Sequence, residues 1–302
     1  MRHSLALFMS CCSFITQNFA ATADLELKRV LKEDNVTITE ITGWINVNLD
    51  RIRFNETEQQ ALALRIQDRL NDVRKQYVDF LKKYPKHVNA RIAYGSFLTH
   101  IDNRQGAVDQ WMLALAEEPE NAAALNNVAT HLGTIALQTN ISDGMKEAFK
   151  AMDKVLRISP KEPLYRHNQA TLLCSFTKIA ATHYGKSRQE IIQKAMLEYD
   201  MAIKLDPNNF EFAADRAEAF LDQRPFPYKK AISAWFKTLK LTTKQDERDW
   251  VHLQIAIAHY KAQKWGNVAS ALDKMSGNSH KLLSEKLRKD TSIKLSPKKI
   301  NP

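Results

Sequence analysis

At 302 residues the chain exceeds the length at which one compact core usually stops growing, so it is expected to divide into domains or to extend as an array. Eight glycines and nine prolines in a chain rich in Ala, Leu, Lys and Glu exclude a turn-dense β fold and favour an all-α one. The formal net charge of +10 is uneven: residues 276–302 hold seven Lys or Arg against Glu285 and Asp290, and no segment shows the basic-aromatic alternation of a nucleic-acid surface.

Arg2 and His3 precede an apolar stretch over residues 5–15, and Thr16-Gln17-Asn18 leads to Ala21-Thr22-Ala23 before Asp24. This order is that of a secretory signal peptide over residues 1–23, and neither this stretch nor any later apolar run is long enough to span a bilayer. The expectation is an exported chain, periplasmic or secreted, without a membrane span. The alternative is a lipoprotein anchored through Cys11 or Cys12, although Phe8-Met9-Ser10 suits acylation poorly. Cleavage leaves Cys174 as the sole thiol, which rules out an internal disulfide in the mature chain.

Residues 24–87 read as an N-terminal helical cap with a partial repeat. Short helices are expected over residues 25–32 and 39–49, after which Asn55-Glu56-Thr57-Glu58 has the form of a capping box opening a long helix toward Tyr84.

A repeat organises residues 88–275. Pro85 and Pro119 stand 34 residues apart, each closing an amphipathic segment, and Pro160 and Pro207 close two more. Ahead of the last three prolines lie Ala107, Trp111 and Ala114; Ala148, Met152 and Val155; and Ala195, Tyr199 and Ala202. The same spacing returns in Ala231, Trp235 and Thr238 and in Val268, Leu272 and Met275, with an earlier copy in Val73, Tyr77 and Phe80. Steps of four and three place each set on one helical face. A preceding helix carries a small residue and a larger one three later: Gly95 and Leu98, Ala129 and Leu132, Ala170 and Leu173, Ala217 and Phe220, Ala256 and His259.

These sets, most plainly residues 89–119 and 255–265, resemble the tetratricopeptide repeat (TPR) family. The resemblance implies a right-handed α-α superhelix, a TPR solenoid of about five helical hairpins between capping helices. Within the hairpins the step from the small residue to the second helix is 12 residues in the first and last units but 19, 25 and 14 between, so inserted turns are expected at residues 138–145, 175–190 and 222–228. In the family the first helices line a groove that holds peptides. That rule assigns partner contacts to Asn126, Asn127, Thr130, His167, Asn168, Thr171, Glu218, Tyr260 and Lys261, where asparagines can pair with a peptide backbone. Ile92 and Ser96 stand where the carboxylate clamp of the chaperone-tail binders would have its first lysine and asparagine, so that role is not expected.

Residues 276–290 read as a closing helix and residues 291–302 as a basic, disordered tail able to touch anionic surfaces weakly. No catalytic constellation or metal spacing is found, and no cofactor is expected. Gly185-Lys186-Ser187 lacks the first glycine of a phosphate loop, and His252 and His259 fall at packing positions. The expected function is a non-enzymatic scaffold for a protein or peptide partner, with no nucleic acid involved. The alternatives are an envelope glycan-binding module, with Trp44, Tyr260 or Trp265 for stacking, and a solenoid-type glycosidase with paired carboxylates.

Overall fold

The structure, a computed structural model, describes residues 2–139, 141–277 and 280–295, with side chains from Thr22 onward except Asp50. Most of the expected signal peptide, with Cys11 and Cys12, lies outside the described side chains, and residues 296–302 of the expected basic tail lie outside the described residues. Every regular element among the described residues is helical, and the chain forms two units, residues 1–128 and 129–302.

The first unit holds α1 (Arg2–Ile52), α2 (Glu56–Lys83), α3 (Val88–His100), α4 (Arg104–Glu117) and the start of α5 (Ala122–Thr139). The two short helices expected near the N-terminus are one continuous helix, because α2 braces the stretch between them. Arg69 bonds Glu33 at 2.6 Å and Glu40 at 2.9 Å, two turns apart, and the Tyr77 hydroxyl donates to Asp34 at 2.7 Å. Asn55 caps α2 by accepting from the Glu58 amide. Inside, Tyr77 stacks on Tyr94 at 5.2 Å and tilts against Phe97 at 5.6 Å.

The second unit continues through α6 (Met145–Ile158), α7 (Pro163–Ser175), α8 (Thr177–Tyr184), α9 (Arg188–Leu205), α10 (Phe210–Glu218), α11 (Tyr228–Leu239), α12 (Gln245–Lys261), α13 (Trp265–Leu272) and α14 (Lys281–Leu295). The segment expected as an inserted turn over residues 175–190 contains α8. Gly185 ends that helix at φ +62°, the left-handed conformation glycine adopts without strain, and Ser187 with Glu190 forms a capping box that starts α9. Gly185-Lys186-Ser187 is thus a helix-to-helix turn. The closing helix runs on through Thr291 to Leu295, so residues 291–295 are helix rather than tail; Thr291 is buried and its hydroxyl donates to Leu287 O at 2.7 Å.

One turn recurs four times. The prolines Pro85, Pro119, Pro160 and Pro207 each stand two residues beyond a helix end, where the cap residue's amide still bonds four residues back: Tyr84 to Phe80, Glu118 to Ala114, Ser159 to Val155, Asp206 to Ala202. The cap carbonyls then accept from His87, Asn121, Glu162 and Asn209, and three of these four cap the next helix through the side chain: His87 to Ala90 N, Asn121 to Ala124 N, Asn209 to Phe212 N. Proline stops one helix and a side-chain acceptor opens the next.

The repeat positions form the interior. Ala107, Ala114, Ala148, Met152, Val155, Ala195, Ala202, Ala231, Trp235, Val268 and Leu272 are fully buried, with Trp111 and Tyr199 nearly so. Each of the large side chains among them contributes about 1.5–3 kcal/mol by leaving water. His252 and His259 are buried among them; burial first, joined for His252 by Lys274, holds their pKa values below the ordinary imidazole value.

Candidate functional site

In the second unit, α7 pairs with α9, and α10 follows beside α9. Their facing sides enclose a groove of about 330 Å³ lined by Thr171, Cys174, Tyr199, Asp215, Glu218 and Asp222, among others. The three carboxylates lie at i, i+3 and i+7 along α10 and its exit, so they share one face. Their number is what gives the groove its character. Burial, then the charges of Asp215 and Asp222, raise the Glu218 carboxyl above its ordinary pKa, as expected where like charges crowd.

The opposite wall fixes this face. His167 Nε2 meets Asp215 Oδ2 at 2.8 Å, and its ring stacks on Phe212 at 4.7 Å. Thr171 Oγ1 and the Tyr199 hydroxyl lie 3.0 Å apart. Burial, and secondarily Asp222, push the Cys174 thiol up to about 12, so it is a neutral lining group rather than a nucleophile. At the exit of α10, Lys261 Nζ donates to Leu221 O at 2.7 Å and stands 3.6 Å from Asp222.

The nine residues assigned from the sequence fall in different places. Thr171 and Glu218 line the groove and Lys261 borders it, whereas His167 is buried behind it as a positioning group for Asp215. Asn168 and Thr130 are partly buried in the same unit. Tyr260 turns to the closing helix: its hydroxyl donates to Asp290 and its ring stands edge-on to Trp265 at 5.1 Å. In the first unit Asn126 is buried, its amide donating to Asn127, whose own amide reaches Ser96 Oγ at 3.4 Å. Asp215, Asp222, Cys174 and Tyr199 belong to the groove but carry no mark in the groove-lining rule. The acidic spacing of 215, 218 and 222 was the available signal.

Of the rings considered for sugar stacking, Trp44 is covered by the Arg65 guanidinium at 3.9 Å, and Tyr260 and Trp265 pack on each other. The groove carboxylates all come from one helix and its exit rather than from opposed walls. Among the described residues no cluster of His, Cys, Asp or Glu has the form of a metal site, and no helix is long and apolar enough to cross a membrane.

No known family model and no curated protein matches the sequence. Solved structures do share its fold. PilW, a widely conserved type IV pilus biogenesis factor, is 14% identical over 80% of this chain and 100% of its own, with a TM-score of 0.53. PilF of Pseudomonas aeruginosa is 14% identical over 86% of this chain and 99% of its own, with a TM-score of 0.53. Yeast Tom70 is 14% identical over 74% of this chain but 44% of its own, with a TM-score of 0.50, so the chain spans under half of that protein.

Proposed function

We propose, from the tetratricopeptide-repeat fold that this chain has, that it is a scaffold whose second unit holds an extended cationic segment of a protein partner. The observation that carries the reading is the acidic face of Asp215, Glu218 and Asp222 in a groove that also offers the hydroxyls of Thr171 and Tyr199. A lysine or arginine side chain would neutralise the crowded carboxylates, while the hydroxyls would serve the partner's main chain. Lys261 already plays a small version of this part, lying over Asp222.

The order of residues 2–23 supports placing this scaffold outside the cytoplasm, in the periplasm or the secreted space. Sequencing the N-terminus of the protein from its host tests that placement: a chain beginning near Asp24 in the exported fraction supports it, and one retaining residues 1–23 in the cytosol overturns it.

The groove is tested by affinity capture of the full chain from the same host, wild type beside Glu218→Lys with Asp222→Lys, followed by mass spectrometry. Both side chains are solvent-exposed, though the groove wall takes part of the water from Glu218, and neither belongs to the buried interior. A reproducible partner lost from the double variant is the expected result. The same partner on both proteins, or none under conditions where known complexes survive, would remove the groove from the reading.

A further inference from the structure

A second groove lies on the second unit, between α9 and α11, the second helices of successive hairpins. It has room of about 730 Å³ and adjoins the acidic groove, Ile192 and Gln223 bordering both. Its chemistry is the reverse. The floor is apolar: Met196 is partly buried, Phe220 is 5% exposed, and Leu197 stands open at 64%. The apolar row continues along α9 through Met201, 42% exposed, and Leu205, 41% exposed.

The rim is basic. Lys229, Lys230 and Lys237 of α11 are exposed, and among the described residues none has a carboxylate partner. Arg216 lies over the Phe220 ring at 5.2 Å and is held there by Asp200 at 2.6 Å. Four cations thus border an apolar trough, three of them along its α11 side, and the one carboxylate in its lining is already engaged. The face of α9 from Gln189 to Asp200 that lines it is about 18 Å long, which matches roughly three turns of a docked helix.

We propose that this groove docks an acidic amphipathic helix of a protein partner, its apolar stripe on Met196, Leu197 and Phe220 and its carboxylates on Lys229, Lys230 and Lys237. The trough requires an occupant with a continuous apolar ridge, and the lysines of α11 require negative charge along the side of that ridge that faces them. A nucleic acid supplies the charge without the ridge. A lipid surface is flat, and Met196 and Phe220 lie too deep to reach it. This docking does not require that the acidic groove be occupied.

The test uses the full chain and a fluorescein-labelled peptide of about four helical turns, with leucines at i, i+4, i+7 and i+11 and glutamates flanking them. Its counterpart carries lysines in place of the glutamates. Anisotropy should show the glutamate peptide binding, its affinity falling about tenfold or more in Lys229→Glu with Lys230→Glu and Lys237→Glu, and the reversed protein preferring the lysine peptide. Amide exchange should slow on α9 and α11. Should the triple variant lose helical circular dichroism, Leu197→Ser, at an already open position, must weaken the same peptide in its place. The proposal is overturned if the two peptides bind wild type equally or not at all, or if protection falls on α7 and not on α11. It is also overturned if phosphatidylserine vesicles bind in a lysine-dependent way while the peptide does not.

Discussion

Gly95 and Trp111 occupy the same space: a Cβ on Gly95 would stand 2.7 Å from Trp111 Cδ1 and closer still to its ring nitrogen. That nitrogen donates to Ile92 O at 3.2 Å, which pins the indole against the neighbouring helix. A glycine in the middle of α3 would ordinarily be improved by alanine, by about 0.5–1 kcal/mol. Here the sign should reverse. Gly95→Ala is expected to destabilise the first unit by roughly 1–3 kcal/mol through overpacking, read as a lower urea midpoint at unchanged slope. A variant as stable as wild type would show that Trp111 can move aside.

Asp249, buried at the start of α12, ties down the approach to α14. Burial pushes its carboxyl up, but the amides of Ser276 at 3.1 Å and Gly277 at 2.6 Å, with the Gln245 amide at 2.8 Å, outweigh it and hold the pKa below the ordinary value. A depressed carboxyl contributes stability above its unfolded pKa and loses it as pH falls through the folded one. Asp249→Asn should therefore be destabilised by about 2–3 kcal/mol at neutral pH. The gap to wild type should narrow as pH falls below the ordinary aspartate range and through the depressed folded value. A constant gap across the acid titration would assign the effect to shape rather than charge.

Cys174 should be slow to alkylate. With its thiol pushed up to about 12, the thiolate fraction at pH 8 is small, and iodoacetamide labelling followed by peptide mass spectrometry should run at least about a hundredfold slower than for an ordinary exposed cysteine. Rapid labelling would mean that the groove opens more widely than its geometry implies.

Glu218 titrates in the opposite sense to Asp249. Burial and its acidic neighbours raise its pKa, so its contribution to stability is present at low pH and declines as pH rises through the folded value. A cation in the groove favours the ionised form, so affinity for a lysine-bearing peptide should increase with pH across the upper carboxylate range, and Glu218→Gln should flatten that rise. Binding that is insensitive to pH and to this substitution would place the peptide elsewhere.

The interior was readable from the sequence because the repeat repeats itself: each Ala-x-x-x-large pair is constrained by the same close approach, and Ala148 with Met152 or Ala231 with Trp235 is buried as that spacing requires. Elements held by distant partners were less readable. Residues 33–38 contain no helix-favouring run, and it is Arg69 and Tyr77 from α2 that carry α1 through them. The site was legible in part. Counting positions on the first helices found Thr171 and Glu218, but the same count included His167 and Asn126, whose side chains turn inward. A rule based on helix membership selects a face about a third of a turn wide at best, and only contacts decide on which side of its edge a residue falls.

The four proline turns have a consequence for how this chain can change. Each hands one hairpin to the next through the same few bonds, while the segment inside a hairpin is free to lengthen, as it does where α8 is inserted. Variation is thereby insulated: a new loop or helix can reshape the cleft of its own repeat without re-aiming the repeat that follows. The specificity of one recognition surface can drift while the turns on either side of it stay as they are.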